Sequence, residues 1–466
     1  MVYYQAIINK QNPSSRVKLA TEQVKFMKKV KHSSPKSAKV SKSKNLASPK
    51  GMRDIINEEY YSFQGFFEKA QEVAVYYGFK PIETPMLEQV ETFTSGIGEG
   101  TDIVDKEMYT LKTKGGDHLA LKPEQTAGLM RAYIEHGMQN LPQPVMFYQY
   151  APAFRHDNPQ RGRYRQFWQF DLDSLGSDKS IVDALVIKAG MSILEDAGAV
   201  NLSVDINSIG DKECRHVYIK ELTSYYKKHI NSLAHVDRER LKTNPLRILD
   251  SKEEKTKEIN EGAPDAISFL CASCKKHFKE VLEYLEEMNI PYTINKNLVR
   301  GLSYYTRTVF EIVEQDSGEE GTPLALAGGG RYDYLARQLG SKKDVGAVGF
   351  SIGVDRIIAS PWYKKLSPRI MKKPKIYFIQ LGSEAKLKSL NIIDILRKAH
   401  VPIAQSLSKD SLGSQLAIAE KLNIPYALIF GVKEALENSV IVRDMSNRSQ
   451  ETVKLTKLLE YLKEIK

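Results

Sequence analysis

The stretch QYAPAFRHDNPQRGRYRQFWQFDLDSLG, residues 149–176, decides the fold. Two half-apolar runs, one ending at Phe154 and one beginning at Tyr164, alternate with the two-residue period of antiparallel strands. Arg155, Arg161, Arg163 and Arg165 crowd the connection, with Asp157 as the counter-charge. A wet, charged hairpin tip is the bland reading. The sharper one is a hairpin built to hold polyanions, because guanidinium forks match phosphate geometry and stay charged at every relevant pH.

Working outward, NEEYYSFQGFFEKAQEVAVYYGF (57–79) places Phe63, Phe66, Phe67, Ala70, Val73 and Ala74 at helical spacing, with Gly78 to end the helix. FKPIETPMLE (79–88) reads as a strand leading into Pro85, and PEQTAGLMRAYIEHG (123–137) as a helix closed by Gly137. Downstream, a helix is expected over 178–197 and a strand in NLSVDINSIG (201–210). Helices packed on an antiparallel sheet make an α+β domain.

Residues 212–289 have a different texture, with long charged stretches such as HVYIKELTSYYKKHI and CKKHFKEVLEYLEEM, and predict a helical insertion. Strands return in PYTINKNLVRG, YYTRTVFEIVE and PLALAGGGRYDYL, followed by a helix in GFSIGVDRIIAS. After the basic, proline-bearing linker, strands alternate with helices, which implies a small, mostly parallel α/β domain. The expected organisation is a basic, disordered extension (1–47), a first α+β segment (48–211), the helical insertion (212–289), a second α+β segment (290–362), a linker (363–374) and a C-terminal α/β domain (375–466).

Of the 466 residues, 42% are hydrophobic and 27% charged, close to globular averages. No apolar run approaches the ~18 residues of a membrane span, so no membrane partner is expected. Three cysteines, Cys214, Cys271 and Cys274, favour a reducing compartment and a cytoplasmic location. The net charge of +11 sits entirely in the first fifty residues, with 12 Lys or Arg against Glu22; the remainder holds 56 of each sign. Such a tail suits an electrostatic arm for RNA, and an inert solvated extension explains it equally well. An organellar leader ranks below both, since the tail uses lysine rather than arginine.

Two more arginines bear on the hairpin. Arg300 lies beside Gly301 in NKNLVRGLSYYTR, and Arg356 follows Gly349 and Gly353, whose spacing predicts one face of a helix. AGGGRYDYL lacks the lysine and hydroxyl of a nucleotide-binding glycine loop and reads as a tight turn. CASCKKH offers Cys271, Cys274 and His277 as metal ligands without an obvious fourth, so a helix surface with free thiols is preferred to a metal site. No motif for covalent catalysis is present. Arginines and glycines without a nucleophile point to phosphoryl or adenylyl chemistry by positioning and charge.

FKPIETPMLE, FRHDNPQRGRYRQFWQFD and GFSIGVDRI, in that order, resemble motifs 1, 2 and 3 of the class II aminoacyl-tRNA synthetases. LVRGLSYYTRTVFE, AGGGRYDYL, PKGMRD, IGEGTDIVDKEMY and TNPLRILDSK resemble the motifs of the histidyl-tRNA synthetase family, from about Ser48 to the C-terminus. The resemblance implies a homodimer with a class II catalytic sheet, a C-terminal anticodon-binding domain, ATP as substrate with Mg2+, and a histidine tRNA as partner. It implies that Arg155, Asp157, Arg163 and Arg356 bind ATP. Glu124, Gln125, Thr126, Arg155, Gln169, Asp173, Arg300, Tyr304 and Tyr305 would bind histidine, with Asp173 and Tyr305 reaching the imidazole. Arg300 and Arg155 would act at the α-phosphate, and Gln160 and Arg161 would face the tRNA acceptor end. Ser303 stands where the family often has Asp, and Lys122 where Arg is common. The alternative is a catalytically inactive, synthetase-like regulatory subunit of histidine biosynthesis, which would lack the C-terminal domain and tend to lose the arginines.

Overall fold

The computed structural model describes residues 46–98, 100–159, 162–315, 324–369, 373–406 and 408–464. The chain divides into two units, Met1–Pro49 and Lys50–Lys466. Residues 1–45 of the basic extension, and Gln160 and Arg161 of the hairpin, lie outside the described residues.

Helix α1 (Asn57–Tyr76) forms where the aromatic spacing predicts and buries Phe63, Phe66, Ala70 and Ala74. FKPIETPMLE is not one strand: prolines cannot donate to a ladder, and only β1 (Lys80–Pro81) and β2 (Leu87–Gln89) pair. After α2 (Val90–Ile97), β3 (Thr110–Lys112) and β4 (His118–Leu121) complete a three-stranded sheet of order β2-β4-β3. Helix α3 (Thr126–Glu135) leads to the decisive hairpin, β5 (Val145–Phe154) and β6 (Gln166–Leu175), paired antiparallel from Val145–Leu175 to Phe154–Gln166.

Then come α4 (Ser180–Ala197) and β7 (Leu202–Ser208), followed by the helices α5 (Lys212–Lys228), α6 (His235–Thr243), α7 (Glu254–Glu261) and α8 (Ala272–Glu287). Strands β8 (Tyr292–Ile294), β9 (Thr306–Glu314), β10 (Leu324–Arg331) and β11 (Ala347–Gly353) follow, with α9 (Leu335–Gln338) before β11 and α10 (Val354–Ile358) after it. The large sheet has the order β1-β5-β6-β11-β10-β9-β7-β8. It is antiparallel except where β1 joins β5 and β8 joins β7.

Period-two alternation gives this sheet two unlike faces. Phe170, Leu172, Phe310, Ile312, Phe350 and Ile352 face the helices and share a core with α1, α4 and α8. Because α8 contributes Phe278, Val281 and Leu285 to that core, the expected insertion 212–289 divides near Ala272. The segment before it has its own cluster around Tyr218, Leu222, Tyr226 and Ile248. On the opposite face the register aligns Gln149, Asp171, Ser351, Gly328, Glu311 and Asp205 across six strands. This polar, small-residue row is the floor of the site.

Two expectations are corrected here. AGGG is no tight turn: Gly328, Gly329 and Gly330 lie within β10. Gly349 and Gly353 share a face of the strand β11, not of a helix; a spacing of four keeps one face in either structure.

The C-terminal region builds a third sheet with its helices, in the order β12 (Ile376–Gln380), α11 (Ser383–Lys398), β13 (Ile403–Gln405), α12 (Leu412–Lys421), β14 (Tyr426–Phe430), α13 (Val432–Glu437), β15 (Ser439–Asp444), β16 (Gln450–Lys454) and α14 (Leu458–Glu464). Its order is β13-β12-β14-β15-β16, parallel over the first three strands and antiparallel over the rest. The sheet is therefore mixed rather than mostly parallel, because β15 joins β14 antiparallel, and β16 adds a strand unexpected from the sequence.

Candidate active site

A cavity of about 390 Å³ opens on the polar face of the large sheet. Gln169 and Asp171 of β6 sit across from Gly353 and Ser351 of β11, so small residues stand opposite polar ones and leave space above the strands. Gly349 shows how tight this is: a Cβ there would lie 2.0 Å from Asp173 Oδ1. At Gly328 a Cβ would lie 2.5 Å from both terminal nitrogens of Arg300.

Arg155, Arg300 and Arg356, from the end of β5, the loop before β9 and helix α10, all line this one cavity. Arg155 Nε donates to the Pro123 carbonyl at 2.9 Å, and its guanidinium stands 5.3 Å over the Phe167 ring. Burial pulls its pKa below the ordinary guanidinium value, and the charge of Arg300 adds to that. Burial also opposes the charge of Arg300, but Glu311, its salt-bridge partner, and Tyr305 outweigh it and hold the pKa up. Arg356 donates to the Ala325 carbonyl, and burial followed by the charge of Arg163 pulls it down. At the rim, Arg163 pairs with Asp157 at 3.3 Å. Converging like charges of this kind make a site for a polyanion.

Glu124 sits just before α3, where its carboxylate accepts from the backbone N–H of Thr126 at 2.7 Å and of Ala127 at 2.9 Å, and from the Tyr304 hydroxyl at 3.3 Å. Burial nonetheless raises its pKa. Gln125, Thr126, Tyr304 and Tyr305 line the cavity beside it. Gln169 donates from Nε2 to Ser351 Oγ at 2.5 Å and leaves its buried Oε1 without a partner.

Asp173 does not line the cavity. It lies behind Gly349 and accepts a 2.6 Å hydrogen bond from Tyr332, whose ring does line it. Burial pushes the Asp173 carboxyl up to about 7, against the pull of Tyr332. Ser303 is likewise outside the lining: its N–H donates to the Ile97 carbonyl at 3.1 Å, anchoring the loop to the end of α2. Lys122 is buried and donates to the Thr84 carbonyl at 3.3 Å, and burial lowers its pKa.

Four residues escaped the sequence reading. Asp171 and Glu311 each fall between two apolar residues of the core face, Phe170 and Leu172 or Phe310 and Ile312, a signal that was present. Asp171 is buried beside Ser351, and burial and the charge of Asp173 raise its pKa well above the carboxylate range. Tyr332 is the link from Asp173 to the cavity. Arg215 of α5 donates to the carbonyls of Ser303 (2.9 Å) and Tyr305 (3.2 Å), and a side chain that acts on backbone leaves no motif.

Of the candidate ligands Cys271, Cys274 and His277, the structure separates the histidine from the thiols. His277 Nε2 lies 3.2 Å from Asp183 Oδ1, which also pairs with the buried Arg331, so the imidazole belongs to the seam between α8 and α4 rather than to the thiols.

The family model described as Histidyl-tRNA synthetase matches residues 51–357, and the one described as Anticodon binding domain matches 375–465. The histidine–tRNA ligase of Caldicellulosiruptor bescii is 39% identical over 419 residues, covering 90% of this chain and 99% of that one. That of Clostridioides difficile is 36% identical over 416 residues, covering 89% and 98%. The crystal structure of apo S. aureus histidyl-tRNA synthetase is similar with a TM-score of 0.74 at 29% identity, covering 90% of this chain and all of that one. With one family model matching residues 51–357, another matching 375–465, and a relative 39% identical over 90% of its length, the chain belongs to the histidyl-tRNA synthetase family.

Proposed function

We propose that this cavity joins histidine to ATP and then passes the histidyl group to tRNA, the reaction of a class II histidine–tRNA ligase. A carboxylate oxygen of histidine attacks the α-phosphorus, and pyrophosphate leaves. A ribose hydroxyl at the tRNA 3′ end then attacks the acyl carbon, and AMP leaves. No protein nucleophile is needed, so the chain's work is positioning and charge.

Arg155 and Arg300 stabilise the α-phosphate as it gains charge, while Arg356 and Arg163 hold the outer phosphates and Asp157 lies on the adenine side. Glu124, Thr126 and Gln169 take the α-amino group, for which the unpartnered Gln169 Oε1 is a ready acceptor. Gln125 fixes the start of α3 through the Pro152 carbonyl, at 3.4 Å. Tyr305 faces the imidazole, with Tyr304 beside it, and Asp173 acts on the ring through Tyr332. A slot that hydrogen-bonds a polar ring rejects apolar competitors, which would leave its groups unpaired. Mg2+, when bound with the triphosphate, would neutralise its charge. Glu107 and Glu311, which line the cavity, are the hard oxygen donors that would hold the ion.

The single observation that carries this reading is that guanidiniums at 155, 300 and 356 line one cavity with Glu124 and Gln169. The domain matched at 375–465 supports tRNA as partner and leaves nothing to favour a regulatory subunit. Homodimer assembly and a cytoplasmic location complete the proposal; among the described residues no helix is long and apolar enough to cross a membrane. Histidine-dependent exchange of pyrophosphate into ATP tests it: exchange with histidine is expected, and none with histidine would refute it.

A further inference from the structure

Away from the cavity, four potential ligands meet, only two of which, Cys271 and Cys274, were among the three the sequence offered. Cys214 and Asp211 join Cys271 and Cys274, and the ligand atoms of all four lie within 4.8 Å of one another. Asp211 and Cys271 are the N-cap residues of α5 and α8, and Cys214 and Cys274 each follow three residues later. Each helix start thus contributes a D-x2-C or C-x2-C corner, the spacing of a metal knuckle.

The hydrogen bonds already orient these groups as ligands. Asp211 Oδ1 caps α5 by accepting from the N–H of Glu213 at 3.1 Å and of Cys214 at 3.0 Å. That leaves Oδ2 to face the sulfurs of Cys274 (3.2 Å) and Cys271 (3.7 Å). Backbone N–H groups point at two of the sulfurs, from Cys271 to Cys214 Sγ at 3.1 Å and from Cys274 to Cys271 Sγ at 3.5 Å. N–H donors of this kind suit thiolates, and the positive ends of two long helices favour the negative charge of the set. None of the three cysteines is in a disulfide.

We propose that Asp211, Cys214, Cys271 and Cys274 bind one Zn2+ as a closed structural site. Three soft thiolates and one carboxylate make a tetrahedral donor set for zinc, and leave too little hard oxygen for magnesium or calcium. Bonds of ~2.3 Å place tetrahedral sulfurs ~3.8 Å apart, so the four groups need to close by only about 1 Å. Binding releases the thiol protons to solvent. The ion ties the first turn of α5 to the first turn of α8, the two ends of the insertion. Arg215, adjacent to Cys214, carries that rigidity to the loop bearing Tyr304 and Tyr305.

The test uses the full-length protein, purified without a metal-chelating tag and dialysed. Elemental analysis is expected to find one zinc per chain, lost in Cys274→Ala and in Cys271→Ser. The second variant replaces an exposed residue and keeps the test valid if the first fails to fold. Cobalt added to zinc-stripped protein is expected to give a near-ultraviolet thiolate-to-cobalt band, which Asp211→Cys strengthens by about a third as the thiolates rise from three to four. Folded wild-type protein that holds no zinc and shows no cobalt band overturns the proposal. So does an iron–sulfur spectrum, or a Cys271–Cys274 disulfide found by mapping the freshly purified protein.

Discussion

Arg300 keeps its charge in a place where burial works against it, because Glu311 stands beside it and Gly328 leaves room for the guanidinium. In the proposed reaction, Arg300→His removes a donor aimed at the α-phosphate. Histidine-dependent exchange is expected to fall by ~10²-fold or more with the melting temperature little changed; full activity would discard the assigned role. Asp173 makes a prediction about pH. Its carboxyl rises from 3.8 to about 7 on folding, so between those values the folded chain holds a proton that the unfolded chain has lost. Its stabilising contribution is therefore complete below pH ~4 and is lost as pH rises through ~7. Asp173→Asn ends that titration and keeps an acceptor for Tyr332. Relative to wild type it is expected to gain stability, up to ~4 kcal/mol at pH 8 from the size of the shift, with the difference vanishing toward pH 4. Denaturant melts that stay parallel across this range would contradict it.

Among the elements, the β5–β6 hairpin was legible because two strand-like runs flank one short polar connection, and they pair without a break from Val145–Leu175 to Phe154–Gln166. The glycine run of β10 was misread for a physical reason: glycine marks a turn and a close approach equally well. Only the register tells them apart, since it sets Gly328 between Glu311 and Ser351. Gly328→Ala tests which role it has. A methyl group there meets the mobile end of Arg300 rather than backbone. The fold is expected to survive while exchange activity falls at least tenfold, and unchanged kinetics would show that the close approach is dispensable. The helix α8 was drawn into the insertion because its exposed face is as charged as its neighbours; its buried Phe278, Val281 and Leu285 reveal its place only when matched to the sheet.

For the whole molecule, the texture of the sequence separated the two folded regions, since helix-rich, strand-rich and alternating segments bury different patterns of apolar residues. What it could not supply was convergence. Arg155, Arg300 and Arg356 are far apart in the chain, and nothing local says that they share a cavity. The tail offers a prediction on the same scale: with the excess of positive charge confined to the first fifty residues, deleting residues 1–47 is expected to weaken tRNA binding at low salt and hardly at all at high salt. Equal binding at low salt would mark the extension as inert. The central claim is tested most directly by a crystal structure with ATP and histidinol, which lacks the attacking carboxylate. The account predicts the α-phosphate in contact with Arg155 and Arg300 and the imidazole beside Tyr305 and Tyr332. A nucleotide bound outside this cavity, or one whose α-phosphate touches neither arginine, would contradict it.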